Sequence, residues 1–386
     1  MKKLCLNENW QLHEAPLKWG KEYKSQIDRQ TDGWYDCSLP ADVRMPLIEA
    51  GVIKDPVLSD YCRESEWIED RSWWFRKTFD GSAVCMEDDI VELVLEGLDT
   101  RSDIFINGQF IGCHRNVHYP FVYDVKELLV PGENEIMVRV TSGLEEVAEE
   151  DLAELDHAVC LESNNGGEFR GDGRRSFVRR PQYTVGWDWG PKVITIGITG
   201  NVCLRSYKTI AIREVHLHTE KLGETARVHA MVNIEDLCFI SSKSCDVTVQ
   251  MVREGAVCAE AKLEKQLLTS GYNYLDLELE VKNPCLWWPN GYGEQPLYEV
   301  RVCAACGRDV EEYPAFSFGI RTIQLDTSVI SGEDRNFILV VNGKPIYCKG
   351  GNWVPNDFIY ARVPDEKYHV LTDEAAEANF NMIRVW

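Results

Sequence analysis

Cysteine and histidine are the residues of this sequence that could hold a metal ion. The chain has 14 Cys, of which Cys303 and Cys306 form the CxxC pair. A structural zinc site needs two such pairs or a His nearby, so we expect reduced thiols. His216, His218 and His229 stand in alternating, strand-like stretches without a clustered carboxylate or Cys. We therefore expect no metal site and no cofactor.

Tryptophan is the second residue type that could do chemistry, with 12 Trp against 7 Met. One polar motif places Asp188 between Trp187 and Trp189. From the residues alone two interpretations stay open. Asp188 accepts hydrogen bonds from a ligand that stacks on an indole, or both indoles pack in a core and the carboxylate caps a turn. In a strand Trp187 and Asp188 would point to opposite faces, so spacing does not decide which indole meets a ligand.

The elements that must position these residues are mostly β-strands. Turn signals such as Asn107-Gly108 predict a hairpin with a type I′ turn, and the short, evenly spaced strands before residue 207 indicate a jelly-roll β-sandwich. Apolar residues alternate again in the next stretch, as at Val228, Ala230, Val232 and Ile234, which indicates an immunoglobulin-like β-sandwich. We predict domains at residues 1–207 and 208–328.

Residues 329–386 change character and form the third predicted unit. Val363-Pro364 followed by two acidic residues predicts a helix start, and residues 381–386 (NMIRVW) have the pattern of a buried strand. A strand–helix–strand order is the opening of a (β/α)8 barrel, which needs about 250 residues. We therefore expect a truncated barrel in an N-terminal fragment, with a complete protein carrying a small α/β appendage as the alternative.

The charge and the ends of the sequence exclude several function classes. With 63 acidic and 41 basic residues, the net charge of −22 argues against a nucleic-acid partner or an anionic membrane surface but not against a neutral ligand. The N-terminus lacks the apolar core of a signal peptide, and no window approaches the roughly 18 apolar residues of a membrane helix. Free thiols then predict a cytoplasmic location.

Several multi-residue motifs, in order along the chain, resemble the β-galactosidase/β-glucuronidase family of glycoside hydrolases. Its N-terminal jelly roll is similar at residues 73–79 (WWFRKTF), 95–99 (LEGLD), 106–108 (ING), 123–125 (YDV) and 132–134 (GEN). The β-mannosidase branch is similar at residues 179–183 (RRPQY), 186–191 (GWDWGP), 286–293 (LWWPNGYG), 295–298 (QPLY), 349–355 (KGGNWVP) and 381–386 (NMIRVW). The resemblance covers nearly the whole chain.

This resemblance implies a retaining exo-glycosidase that removes terminal β-linked mannose from an oligosaccharide. Such enzymes use two Glu about 5–5.5 Å apart, which in the family lie on later barrel strands. Asn-Glu pairs occur here as Asn7-Glu8 and Asn134-Glu135, both in the predicted jelly roll. We therefore expect no catalytic residue in this chain and no hydrolysis by the chain alone.

The resemblance also implies substrate-binding residues. Asp188 would accept hydrogen bonds from sugar hydroxyls, while Trp187 or Trp189 would stack on the pyranose. Active sites of these barrels lie at the C-terminal ends of the strands, which makes Arg384 and Trp386 candidates. Weaker candidates are Asn352, which follows the first barrel strand, and Arg179, which could pair with Asp188 or lie on the surface. The basic stretch at residues 170–175 (RGDGRR) is expected to be a flexible loop.

Other functions remain open. Within the family the substrate could be a galactoside, a glucuronide or a glucosaminide, although residues 186–191 resemble the β-mannosidase branch. Outside it, the chain could be a non-catalytic carbohydrate-binding protein or a structural interaction module, because fold does not determine function. Linkage preference, aglycone preference and oligomeric state are left open, and an oligomer is possible.

Overall fold

The computed structural model describes residues 1–83, 87–154, 171–238 and 243–386. Within these ranges the chain is mainly β and multidomain, with few and mostly short helices. Two antiparallel sandwiches follow one another, and a smaller segment with a parallel strand pair follows them.

The first sandwich contains the elements up to Tyr207. Its strands are β1 (Lys2–Cys5), β2 (Trp10–Pro16), β3 (Trp34–Cys37), β4 (Ala41–Asp42), β5 (Arg71–Asp80), β6 (Ile90–Leu95), β7 (Leu98–Asp99), β8 (Arg101–Ile106), β9 (Gln109–His114), β10 (Phe121–Asp124), β11 (Glu133–Thr141), β12 (Gly197–Ile198) and β13 (Val202–Tyr207). Its helices are α1 (Lys24–Ile27), α2 (Arg44–Glu49), α3 (Tyr61–Glu64) and α4 (Glu149–Ala153).

Two main sheets enclose the core of this sandwich. One has the strand order β3–β2–β5–β11–β8–β9 and the other β1–β13–β6–β10, with the short sheet β4–β12–β7 at one side. Trp73 packs into the core between the sheets, whereas Trp74 packs on the other face of β5 under a smaller apolar cluster. Both indoles are buried because each face of β5 is covered, although neighbours in a strand point to opposite faces.

The hairpin predicted at Asn107-Gly108 is confirmed. It joins β8 to β9, and Asn107 and Gly108 have φ angles of 47° and 81°. A type I′ turn requires a positive φ at both central residues, which Asn and Gly tolerate. The same pairing of residue types at Asn342-Gly343 gives φ angles of 51° and 77°.

The second sandwich is built from long antiparallel strands. They are β14 (Ile210–Lys221), β15 (Thr225–Asp236), β16 (Lys243–Arg253), β17 (Ala256–Leu268), β18 (Gly271–Lys282), β19 (Tyr298–Cys306) and β20 (Asp309–Phe318). The sheets β14–β15–β18 and β17–β16–β19–β20 enclose their own core. Val228, Ala230, Val232 and Ile234 are fully buried in it, as their alternation predicts.

The last segment contains β21 (Ile323–Asp326), β22 (Val329–Ser331), β23 (Asp334–Arg335), β24 (Ile338–Val341), β25 (Lys344–Ile346), β26 (Gly350–Trp353), α5 (Asp365–Glu377) and β27 (Met382–Val385). β26 and β27 pair in parallel and α5 connects them, so the predicted strand–helix–strand order is present, but the burial predicted for the last strand is wrong because three of the four residues of β27 are exposed. Leu371, Ala375 and Ala378 line an open cleft of about 390 Å³ beside these strands. β21 pairs with β24, across the boundary predicted at residues 328 and 329.

Polar contacts join these units. Arg213 at the start of the second sandwich contacts Glu92 on β6 and Glu235 on β15, each at 2.6 Å. Asn290, which follows the two indoles of the LWWPNGYG motif, donates to the carbonyl oxygens of Ala376 and Phe380, both at 3.0 Å. That motif therefore holds the end of α5. In the described ranges no helix is both long and apolar enough to cross a membrane.

Candidate functional site

The candidate site is built around a turn at residues 187–190, which we name the WDWG turn. Trp187 and Gly190 exchange backbone hydrogen bonds of 3.4 and 3.3 Å, so that Asp188 and Trp189 form the tip. The motif is therefore a tight turn and not a strand, and alternation between faces does not apply to it.

Asp188 is exposed while both flanking indoles are half-buried. Within the described ranges its carboxylate makes no hydrogen bond or ion pair. The turn-capping interpretation therefore has no contact to support it in these ranges. A carboxylate that no described residue contacts, at a turn tip flanked by two indoles, has the acceptor capacity that a ligand hydroxyl needs.

Trp386, directly after β27, meets the WDWG turn. Its ring centroid lies 5.3 Å from those of both Trp187 and Trp189, edge to face in each case. Tyr183 also contacts Trp386 edge to face at 6.2 Å. Edge-to-face contacts are favoured between aromatic rings. Two predicted site residues from the turn and a third from the distant end of β27 are thus brought into one cluster.

Phe358 lies beneath the turn. Its ring centroid is 5.4 Å from that of Trp189 and 6.1 Å from that of Tyr183. A Cβ atom on Gly190 would lie 1.9 Å from Phe358 Cζ, so only glycine permits this approach. Burial raises the pKa of Tyr183, which keeps its hydroxyl protonated. The indole nitrogen of Trp189 is buried without a hydrogen-bond partner in the described ranges.

Arg175 supports the turn from behind and was missed at the sequence level. Its Nη1 donates to the carbonyl of Gly186 at 2.8 Å, and its guanidinium carbon lies 4.8 Å from the Trp187 ring centroid. It belongs to a short 3-10 helix, Gly173–Phe177, capped by the Asp172 side chain. The loop expected at residues 170–175 is therefore wrong for residues 173–175, which are helical, whereas residues 171 and 172 precede the helix and Arg170 lies outside the described ranges. The Asp172-Gly173-Arg174 capping pattern was the available signal.

Asn352 and Arg384 lie opposite each other on β26 and β27. The Nη1 atom of Arg384 donates to Asn352 Oδ1 at 3.2 Å, and both side chains are exposed. The alternative of Arg384 paired with an acid in a core has no counterpart among the described contacts. These two predicted residues are brought together, but no described contact links them to Asp188.

Arg179 is exposed. The structure records a backbone contact, in which its carbonyl accepts from Val117 N at 3.1 Å, and the described contacts include no ion pair between Arg179 and Asp188. Its neighbour Arg180 is buried and donates to the carbonyls of Thr195 at 2.7 Å and Ser142 at 3.1 Å. Adjacent arginines thus have opposite environments.

A buried polar network lies near the site and was also missed. Asp99 accepts from the hydroxyls of Thr195 at 2.5 Å and Tyr360 at 2.9 Å and from Thr100. Arg180 lies 3.5 Å from the same carboxylate. A buried carboxylate needs such partners. Tyr360 lies 261 positions from Asp99 in the chain, so no local spacing could have revealed the pair.

Two larger clefts lie elsewhere. One of about 720 Å³ runs beside β2 and β5, and one of about 940 Å³ is lined by Trp288 and its neighbours. In the first, some polar side chains are paired, for instance Arg76 with Gln11 at 2.8 Å. We assign the candidate site to the WDWG turn because there an exposed carboxylate, without a partner in the described ranges, is flanked by two indoles that contact Trp386 from a distant part of the chain. Among the described residues no three His, Cys, Asp or Glu are placed to hold a metal ion.

Comparison with known families gives two matches. Residues 10–200 match the glycosyl hydrolase 2 galactose-binding domain-like family, and residues 210–321 match glycosyl hydrolases family 2.

Similar proteins point the same way. A beta-mannosidase B from Emericella nidulans is 29% identical over 376 residues, which cover 96% of this chain and 42% of that protein. A probable beta-mannosidase from Caenorhabditis elegans is 28% identical, and the match covers 90% of this chain and 39% of that protein. The crystal structure of a beta-D-mannosidase from Dictyoglomus thermophilum matches with a TM-score of 0.86 at 31% identity, over 100% of this chain and 44% of its own. The chain thus spans less than half the length of these relatives.

Proposed function

Because this chain belongs to glycosyl hydrolase family 2, we propose that it is the N-terminal part of a retaining exo-glycosidase that hydrolyses terminal β-D-mannose residues. Its similarity to beta-mannosidases of more than twice its length supports this proposal. The two catalytic Glu are proposed to lie in the part of those relatives that this chain does not span. The chain alone is then inactive, and its substrate is a glycoside or oligosaccharide.

One observation carries the proposal. Trp386, at the end of β27, contacts both indoles that flank Asp188, at 5.3 Å in each case. A loop of the first sandwich therefore reaches the carboxyl end of the parallel strands, which is where a barrel enzyme has its active site.

We propose the following roles in that site. Asp188 accepts hydrogen bonds from mannose hydroxyls, which discriminates strongly because a substrate without the hydroxyl leaves the acceptor unpaired. Trp386 forms a wall of the sugar pocket, and Trp187 or Trp189 stacks on the pyranose. Arg384, oriented by Asn352, supports the catalytic carboxylates. Arg179 is the weakest candidate.

The architecture is proposed in the same terms. The first sandwich is a jelly roll over residues 1–207, the second is immunoglobulin-like over residues 208–328, and residues 329–386 open a (β/α)8 barrel. Separate cores in the two sandwiches support the first boundary. The pairing of β21 with β24 favours placing the second boundary before Ile323. The described cysteines are free thiols, which supports the proposed cytoplasmic location.

The alternative is a carbohydrate-binding protein without catalysis. Two facts favour it. Asp188 and its flanking indoles could bind a sugar, and no catalytic Glu is assigned in this chain. The two functions separate by experiment. The chain, and the chain extended by any sequence that follows Trp386 in its source genome, are assayed for hydrolysis of an aryl β-mannoside and titrated with mannose by calorimetry.

Activity of the extended form alone, with weak or no mannose binding by this chain, is the expected result. Micromolar binding by this chain without activity in either form would establish the alternative. Hydrolysis of an aryl β-galactoside or β-glucuronide in preference to the mannoside would overturn the assignment of substrate.

A further inference from the structure

Residues 357–362, which follow β26, lie on the first sandwich, and we name them the anchor segment. Ile359 is fully buried there, in an apolar cluster with Val193 and Cys62. Val193 follows the WDWG turn in sequence, and Cys62 belongs to α3. The anchor segment is therefore embedded in the sandwich that carries the turn.

Two polar side chains, Tyr360 and Arg362, fasten the anchor segment. The Tyr360 hydroxyl donates to Asp99 Oδ2 at 2.9 Å and lies 3.2 Å from Thr199 Oγ1. Burial raises the pKa of Tyr360, so the phenol stays a donor. Arg362 contacts Asp55 and Asp357, each at 2.8 Å. Removing either donor would leave a carboxylate without that partner, which carries a desolvation cost.

The internal hydrogen bonds of the WDWG turn are too long to fix its geometry alone. Its two internal hydrogen bonds, at 3.3 and 3.4 Å, are longer than the usual N–H···O range. Packing from outside must therefore fix the tip. Phe358 supplies such packing from below, because its ring occupies the space beside Gly190 and contacts Trp189.

We propose that Phe358 is a positioning residue for Asp188, held in place by Tyr360 and Arg362 of the anchor segment. In this arrangement the anchor segment fixes the position of the WDWG turn relative to the C-terminal ends of β26 and β27. In this proposal Phe358 acts through its contact with the turn and not as a ligand-binding group. A role of this positioning in substrate binding rests on the proposed function. The positioning of Asp188 by Phe358 does not depend on which ligand binds.

The test uses the 386-residue chain labelled with 5-fluorotryptophan, with the 19F resonances assigned by single Trp→Phe substitutions. Phe358→Ala should shift or split the resonances of Trp187, Trp189 and Trp386. Those of Trp10 and Trp73, buried in the core of the first sandwich, should keep their positions. Phe358→Leu, which keeps apolar bulk, should restore much of the native pattern. The matched control is Phe337→Ala, whose ring is 83% exposed, and it should change none of these resonances.

A native pattern for Trp187 and Trp386 in a folded Phe358→Ala variant would overturn the proposal, because a shift of Trp189 alone reports only the loss of the ring that contacts it. Should that variant fail to fold, Tyr360→Phe carries the test. This variant keeps the ring of residue 360 and loses the hydrogen bond to Asp99. It should shift the same three resonances, by less than Phe358→Ala does. An unchanged spectrum there would equally overturn the proposal. Titration of the unsubstituted chain with methyl β-D-mannoside tests the ligand separately: a flat titration counts against the proposed function and leaves the positioning role intact.

Discussion

At the scale of single residues, the site combines an exposed carboxylate with packed indoles on either side of it. Asp188 is exposed and without a partner in the described ranges, while Trp187 and Trp189 on either side are packed by Arg175, Phe358 and Trp386. Packed neighbours fix a side chain in space without using its hydrogen-bonding capacity. A residue of this kind should matter for binding and little for folding.

We predict that Asp188→Ala separates these two effects. In the extended enzyme kcat/KM on an aryl β-mannoside should fall at least tenfold, about 1.4 kcal/mol, because the hydroxyl acceptor is lost. The free energy of unfolding should change by less than about 0.5 kcal/mol, as for other exposed residues without contacts. Steady-state kinetics and urea unfolding measure the two quantities. Asp32→Ala, at another exposed position, is the control, and an unchanged kcat/KM for Asp188→Ala would refute the role.

Asp172 should make stability depend on acid pH. Burial opposes its ionisation, but hydrogen bonds from Arg174 hold the pKa of Asp172 below its usual value. A carboxyl with a lowered folded pKa contributes stability above its unfolded pKa, about 3.9, and loses it as the pH falls. The stability difference between the unsubstituted chain and Asp172→Asn should therefore shrink from pH 6 to pH 3 in urea titrations. In an Arg174→Ala background the shrinkage should be much smaller, and an equal pH dependence in both backgrounds would contradict this cause.

At the scale of elements, the WDWG turn depends on a close approach between two parts of the chain. We predict that Gly190→Ala destabilises the protein by about 1–3 kcal/mol, the usual range for overpacking, because its Cβ would meet the Phe358 ring. Gly223→Ala is the control, since its Cβ would make an ordinary contact of 3.6 Å. Chemical denaturation measures both.

The double variant Gly190→Ala/Phe358→Ala sharpens this test. If the ring causes the clash, the cost of Gly190→Ala should be much smaller in the Phe358→Ala background, which gives a coupling energy between the two positions. Additive costs would show that the destabilisation has another origin.

The elements whose determinants are local can be predicted from the sequence. The alternation in β15 and the turn at Asn107-Gly108 depend on neighbours a few residues apart, and both were predicted. Arg175 and the Asp99–Tyr360 contact could not be predicted from spacing, because their partners lie 11 and 261 positions away. Spacing could not decide between the two interpretations of Asp188 for a related reason: the flanking indoles contact Phe358 and Trp386, which no pattern around residue 188 encodes.

At the scale of the whole molecule, two separate cores are coupled by few polar contacts. Arg213 donates two hydrogen bonds to Glu92, at 2.6 and 2.9 Å, and one to Glu235. We predict that Arg213→Ala costs about 3 kcal/mol, because it leaves the nearly buried Glu92 carboxylate unpaired. Differential scanning calorimetry should show the two sandwiches unfolding further apart in temperature. Arg227→Ala, which breaks an exposed pair of 3.8 Å with Glu278, should leave the profile unchanged, and an equal effect of both variants would contradict the coupling.

The contact between Gly190 and Phe358 limits how such proteins can recombine. The first sandwich contributes a position at which a side chain would meet the Phe358 ring, and the segment after β26 contributes that ring. A chimera with a crossover between residues 190 and 358 would bring together two halves whose shapes were never selected against each other. Domain shuffling should therefore succeed where both positions are inherited from one parent. A crossover at a domain junction between these positions should cost stability when one parent supplies a larger residue at position 190 and the other supplies the ring at position 358.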